Sequence, residues 1–358
     1  MIIDLFAGPG GADLGIRTVT SERVVGVEWD TAACQTREAA GLETVQADVA
    51  QLDPADYAGA WGLWASPPCQ DFSMAGRRAG IDGDRGMLIH EVMRWARIIE
   101  PAWIACEQVP PALPVWELFA HELRTMGYRA WAGVLNAADY GVPQTRKRAI
   151  LMASRERFDL PEPTHAKDPQ PAGLFGGELL PWVTMADALG WDGHVWTNSD
   201  NNLDDKTYVV DTSQPAPTAT SRVNRWLLHT NGGQEEDGSR QTVDPAEHPA
   251  PTVFFGGRLN DVSWVYERPA TTVVGSFSPE TIAAPGWRTS DDGPRQNAPG
   301  SVRVTVEQAA VLQGFPPDHP WQGSKTARFR QVGDAVPPPV AAAVVAPLLD
   351  ANEREVAA

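Results

Sequence analysis

Residues 2 to 11 read Ile2-Ile3-Asp4-Leu5-Phe6-Ala7-Gly8-Pro9-Gly10-Gly11, and the passage from apolar residues to glycines decides how the rest of the chain is read. Ile2 to Phe6 has the character of a buried strand. The glycines after it permit a tight turn and a close backbone approach to a bound molecule before the next helix. Four more apolar runs, Val24 to Val27, Trp61 to Ala65, Trp103 to Cys106 and Ala149 to Ala153, alternate with helical stretches. Strands alternating with helices predict an α/β fold with a doubly wound, mostly parallel sheet, whose ligands sit beyond the carboxyl ends of the strands.

The residues at those strand ends carry the chemistry. Phe6, Gly8 and Gly10 follow the first strand, and a nucleoside-type cofactor is implied there. The second strand ends at Glu28, 20 positions after Gly8, where a carboxylate commonly takes ribose hydroxyls; Trp29 beside it offers a face for a purine. Asp48 closes a third, weaker strand. The third glycine of the dinucleotide fingerprint is absent, which argues against a dehydrogenase.

The fourth run leads into Ala65-Ser66-Pro67-Pro68-Cys69-Gln70-Asp71-Phe72-Ser73. Two prolines fix φ and remove two backbone donors, so Cys69 follows a stiff turn that suits a held nucleophile better than a packing residue. Glu107 follows the strand at Trp103 to Cys106, and Arg146 and Arg148 lie in Gln144-Thr145-Arg146-Lys147-Arg148 at the start of the next. Arginines two apart share one side of an extended segment. A thiol, a carboxylate and two guanidinium groups at one sheet edge can attack an electron-poor ring, protonate its nitrogen and hold its carbonyl.

Composition sets the bounds. The 358 residues, 42% of them apolar, are enough to bury a real core. Three cysteines, Cys34, Cys69 and Cys106, without C-x-x-C spacing suggest neither a disulfide framework nor a zinc site, and a reduced cytoplasmic compartment is expected. No leader is expected before Ile2, and no apolar run is expected to approach the ~20 residues of a membrane span. The net charge of −17 argues on its face against nucleic acid, but net charge says little about one cleft, and basic residues bunch at Arg77-Arg78, Arg146 to Arg148 and Lys325 to Arg330.

With these residues in place, the chain resembles the DNA (cytosine-5)-methyltransferases. Asp4 to Gly11, Ser66 to Ser73, Glu107-Gln108-Val109 and Gln144 to Arg148 stand in family order. Arg303-Val304-Thr305 with Glu307 and Gln313 to Pro316 resembles the family's ninth motif, and Gly333 to Pro338 its tenth. The resemblance implies a Rossmann-like, class I methyltransferase in which Phe6, Gly8, Gly10, Glu28, Trp29, Asp48, Leu88, Asp334, Ala335 and Val336 surround S-adenosylmethionine. It implies that Cys69 attacks C6 of a flipped-out cytosine, that Glu107 protonates N3, and that Arg146 and Arg148 position the base and phosphates. Two positions depart from the pattern: Gln108 and Asp334 both stand where the family usually carries asparagine.

The implied domains are 1–165 for catalysis and cofactor, 166–325 for a smaller β-rich target-recognition domain, and 326–358 returning to the first, with the helix near Pro338 to Leu349 packing on its sheet. Three phrases recur in the middle region: Gln214 to Thr218, His248 to Thr252 and Arg268 to Thr272. They read as extended edge segments. Gln70, Ser73, Arg77 and Arg78 after the cysteine, and Arg222, Arg225, Arg240 and Arg258 in the middle region, are the expected DNA contacts. Double-stranded DNA is the expected partner, with a cognate restriction endonuclease as a second; a monomer and no membrane are expected. A transfer RNA cytosine-5 methyltransferase would share the same motifs, and a catalytically silent cofactor- or DNA-binding module would share the fold.

Overall fold

A computed structural model describes residues 1–68, 86–169, 179–189 and 305–356, with short strands at 194–198, 207–208, 226–229, 250–251, 262–265 and 301–303. β1 (Ile2–Leu5), β2 (Val24–Glu28), β3 (Glu43–Gln46), β4 (Gly62–Ala65), β5 (Trp103–Gln108), β6 (Arg129–Asn136), β7 (Gln144–Thr145) and β8 (Lys147–Ser154) make up the catalytic half in chain order. All but β7 form one sheet, ordered β3-β2-β1-β4-β5-β8-β6. β1 to β5 pair in parallel, joined by α1 (Gly11–Val19), α2 (Thr31–Ala39) and α3 (Glu91–Ile99). All five apolar runs became strands.

The far edge was less legible. α4 (Leu113–Thr125) leads into β6, a half-exposed edge strand that no apolar run announces. β8 then inserts between β5 and β6, antiparallel to both. Only the short segment Ala137–Arg146 separates β6 from β8, too little chain for the crossover a parallel return requires.

Alternation along the strands gives each face its own core. Ile3, Leu5, Val25, Val27 and Leu63 pack with Trp95 and Ile99 of α3 and Trp116 and Leu123 of α4. Ile2, Val24, Trp64, Trp103 and Ile150 pack on the other face with Ile16 of α1 and with Val340, Val344 and Leu348 near the C-terminus. Each such side chain contributes about 1.5–3 kcal/mol by leaving water.

Between the two ends of the chain, β9 (His165–Ala166) and β10 (Leu180–Pro181) form a small pair, followed by α5 (Met185–Leu189). β11 (His194–Asn198), β12 (Thr207–Tyr208), β13 (Trp226–His229), β15 (Val262–Val265) and β16 (Ser301–Arg303) form a second, mixed sheet, and β14 (Ala250–Pro251) stands apart from it. Of the three recurring phrases, only Ala250 and Pro251 are described, and they pair in parallel with Gln144 and Thr145 of β7. That pairing ties the middle region to the segment that carries Arg146.

The chain then returns through α6 (Val306–Leu312), α7 (Lys325–Asp334) and α8 (Pro338–Val356). A capping box between Thr305 and Gln308 starts α6. α8 lies on α1 so closely that a Cβ on Gly15 would come within 2.1 Å of the Pro338 carbonyl oxygen. Residues 325–352 are long and apolar enough by composition to cross a membrane, which corrects the expectation that no stretch reaches that size. The apolar side of α8 is spent on the sheet instead.

Beneath the glycine turn lies a buried charge cluster. Arg37 and Asp13, both fully buried, form a two-pronged ion pair at 2.8 and 2.7 Å. Arg37 also donates to the Ala7 carbonyl at 3.3 Å and to Thr44 at 3.1 Å. Gly26 makes room for it: a Cβ there would sit 1.8 Å from the guanidinium. Burial opposes the charge on Asp13, but Arg37 outweighs it and holds the carboxyl below its usual range. Burial and then the charge of Asp13 push the carboxyl of neighbouring Asp4 well above its usual range. Arg37→Met strands the Asp13 carboxylate and is expected to cost about 3–5 kcal/mol in urea unfolding, the scale for breaking a buried pair. A loss below about 1 kcal/mol would show that the pair is not structural.

Candidate active site

The sheet order reverses between β1 and β4, and a cavity of about 490 Å³ opens at the carboxyl ends of the strands there. Its floor is the turn after β1. Phe6 has a φ of 60° and Gly8 a φ of 53°, so the chain leaves the strand through left-handed backbone. A Cβ on Gly8 would meet nothing within 4 Å; the missing side chain leaves open space. Gly10 is different. It caps α1 with φ 99°, a Cβ there would strike Leu42 at 2.1 Å, and it does not line the cavity.

Glu28 at the end of β2 fastens this turn. Its carboxylate accepts from the backbone N–H groups of Gly8 at 2.8 Å, Trp29 at 2.9 Å and Asp30 at 2.7 Å. Burial raises its pKa while those three donors oppose the rise. Trp29 is 62% exposed and stands at the cavity rim. Asp48 caps the short turn after β3 by accepting from Ala50 N–H at 2.9 Å, and it and Leu88 line the same wall.

The opposite wall is built from β5 and β8. Glu107 Oε1 and Arg148 Nε form an almost fully buried ion pair at 2.7 Å. Next to Glu107, Gln108 turns its amide back on the β4 turn: Nε2 donates to the Pro67 carbonyl at 2.7 Å, and Oε1 accepts from Val109 N–H at 2.6 Å. The longer amide thus clamps the segment that leads to Cys69. Pro67 and Pro68 line the cavity beside Glu107.

Arg146 is placed differently from Arg148. Its Nη2 donates to the carbonyls of Gly333 at 2.9 Å and Ala335 at 3.2 Å, across 187 residues of chain, so it braces the turn after α7 as well as lining the cavity. Gln313 adds a bond to the Ala335 carbonyl at 2.7 Å. Ala335 and Val336 lie buried behind that turn and do not line the cavity. Asp334 does, with its side chain exposed to the cavity. The protein atoms around the carboxyl push it up to about 6, while Arg146, Arg330 and Arg148 pull it down.

Sequence reasoning missed Arg330 and Asp30. Arg330 lines the cavity four residues before Asp334 on α7 and pairs with Asp30, which also caps α2 through Ala33 N–H at 3.0 Å. The i,i+4 spacing was the available signal. Cys69, Gln70, Ser73, Arg77, Arg78, Arg222, Arg225, Arg240 and Arg258 lie outside the described residues. Cys34 and Cys106 are buried in α2 and β5, as expected of packing thiols, and burial pushes Cys34 up to about 11. Among the described residues, no group of His, Cys, Asp and Glu could hold a metal ion.

A doubly wound sheet with this cavity at its switch point is a Rossmann-like fold with a ligand site where such folds place one. The family model for C-5 cytosine-specific DNA methylase matches residues 1–349, and the chain belongs to that family. It is 30% identical to the Type II methyltransferase M.NgoFVII of Neisseria gonorrhoeae, over 94% of this chain and 83% of that one. It is 29% identical to the Type II methyltransferase M.NgoMIV of the same organism, over 99% and 98%. The solved structure of the Entamoeba histolytica methyltransferase EhMeth superposes with a TM-score of 0.59 at 14% identity, covering 98% of this chain and 97% of that one, which shows a shared fold.

Proposed function

We propose that this protein transfers a methyl group from S-adenosylmethionine to C5 of a cytosine flipped out of double-stranded DNA, through a covalent bond between Cys69 and C6. One observation carries the reading: Glu28, Glu107, Arg148 and the Pro67–Pro68 turn that precedes the cysteine all line a single cavity. Its volume falls in the range of about 300–1,000 Å³ usual for small-molecule sites. The open space over Gly8, the Trp29 face and the Glu28 carboxylate fit a nucleoside. S-adenosylmethionine, when bound, supplies an electrophilic methyl group.

The chain's own residues do the rest. Phe6, Gly8, Glu28, Trp29, Asp48 and Leu88 hold the cofactor, while Gly10, Ala335 and Val336 support it from behind. Cys69 adds to C6 as Glu107, oriented by Arg148, gives a proton to N3. A stacked cytosine cannot present C6 to a thiolate, so the base leaves the duplex at a cost of a few kcal/mol. Residues 1–165 and 326–358 form the catalytic domain, and 166–325 the recognition domain whose arginines offset that cost. The Type II names of both Neisseria relatives support DNA as substrate and a restriction-modification setting.

The test needs no knowledge of the recognised site. Duplex DNA and transfer RNA, each with 5-fluorocytosine throughout in place of cytosine, are incubated with protein and cofactor and run on a denaturing gel. A protein–DNA adduct is expected, because fluorine at C5 blocks release. An adduct with transfer RNA alone would replace the substrate. No adduct with either, despite cofactor binding, would make the protein a silent module.

A further inference from the structure

Once C5 carries the new methyl group it also carries a proton, and restoring the aromatic ring requires a base that takes it. Neither Glu107, which serves N3, nor the two arginines can do so. We propose that Asp334 is the general base that removes the C5 proton, a role that rests on the reaction proposed above.

The argument is one of elimination within the cavity. Among its described lining residues, five are carboxylic acids: Glu28, Asp30, Asp48, Glu107 and Asp334. Glu28 is held by three backbone donors, Asp30 caps α2 and pairs with Arg330, Asp48 caps a turn, and Glu107 is paired with Arg148. Asp334 makes no hydrogen bond or ion pair with any described residue, and its side chain faces the cavity. Its backbone is nevertheless fixed, since Arg146 and Gln313 grip the carbonyls on either side of it. A free carboxylate on an anchored backbone is what proton transfer to a bound ring requires.

The charges that act on it are Arg330 on its own helix, Arg146 just before β8 and Arg148 within it, and Glu28 at the end of β2, all of which line the same cavity. A carboxyl raised to about 6 is ionised at neutral pH and still basic enough to accept a proton. The step balances. Asp334 takes the C5 proton, the C5–H electron pair forms the C5–C6 double bond, the C6–S bond breaks to return the Cys69 thiolate, and N3 returns its proton to Glu107.

Asp334→Asn separates this step from those before it. On ordinary DNA the variant is expected to lose about 10²-fold or more in turnover, and a methylated Cys69 adduct should accumulate on denaturing gels. On 5-fluorocytosine DNA, which has no C5 proton, the adduct should form at the wild-type rate. Wild-type turnover should fall as pH drops below about 6, whereas adduct formation on fluorinated DNA should lack that fall. Unchanged turnover in the variant overturns the assignment. So does a parallel loss of adduct formation, which would place Asp334 at cofactor or DNA binding. Failure of the wild-type protein to form any adduct would instead remove the proposed reaction itself.

Discussion

Cys69→Ser is expected to bind the cofactor with unchanged affinity and to lose methyl transfer by about 10⁴-fold or more, the scale seen when a covalent nucleophile is removed. The reason is chemical. A thiol reaches its anion within a few pH units of neutrality and is intrinsically nucleophilic, whereas a serine hydroxyl needs a dedicated base, and none is assigned to it here. The turn itself should survive, because Pro67 and Pro68 remain and Gln108 still holds the Pro67 carbonyl at 2.7 Å. Incorporation of labelled methyl groups into duplex DNA reads the loss, and isothermal titration reads the affinity. Turnover within tenfold of wild type, or an adduct that persists in the serine variant, would remove Cys69 from the mechanism.

What the sequence showed of this site, and what it hid, follows from where each interaction is made. Glu28, Glu107 and the Pro67–Pro68 turn were legible because each ends a buried strand, and an apolar run that stops at a polar group is a local signal. The glycine turn was legible for the same reason, although the sequence could not separate Gly8, which opens onto the cavity, from Gly10, which accommodates Leu42. Arg146 and Arg148 look equivalent on an extended segment. They separate only in three dimensions, where one braces Gly333 and Ala335 and the other pairs with Glu107. The buried pair Arg37–Asp13 reads locally as two ordinary helix charges, since nothing nearby in sequence reveals that the gap left by Gly26 receives the guanidinium. β8 reads correctly as a strand, but its direction depends on the length of a connection, which hydrophobic pattern does not encode.

Glu107→Gln should slow methyl transfer by about 10²–10⁴-fold, the usual contribution of a positioned proton donor. Glutamine preserves the shape and can still face Arg148, but it cannot give a proton to N3, so electrons arriving from the thiolate have no neutral place to settle. The loss should therefore appear before the covalent bond forms. Adduct formation on 5-fluorocytosine DNA should slow in the same proportion as turnover, the reverse of what Asp334→Asn should do. Arg148→Lys keeps the charge but gives up the planar fork that aligns Glu107 at 2.7 Å, and it should slow the same step by a smaller factor. Because the acid and the guanidinium act through one contact, the double variant should lose less than the product of the two single losses. Strictly multiplicative losses would mean that Arg148 serves the substrate independently, and the ion pair would then be a feature of the resting site alone.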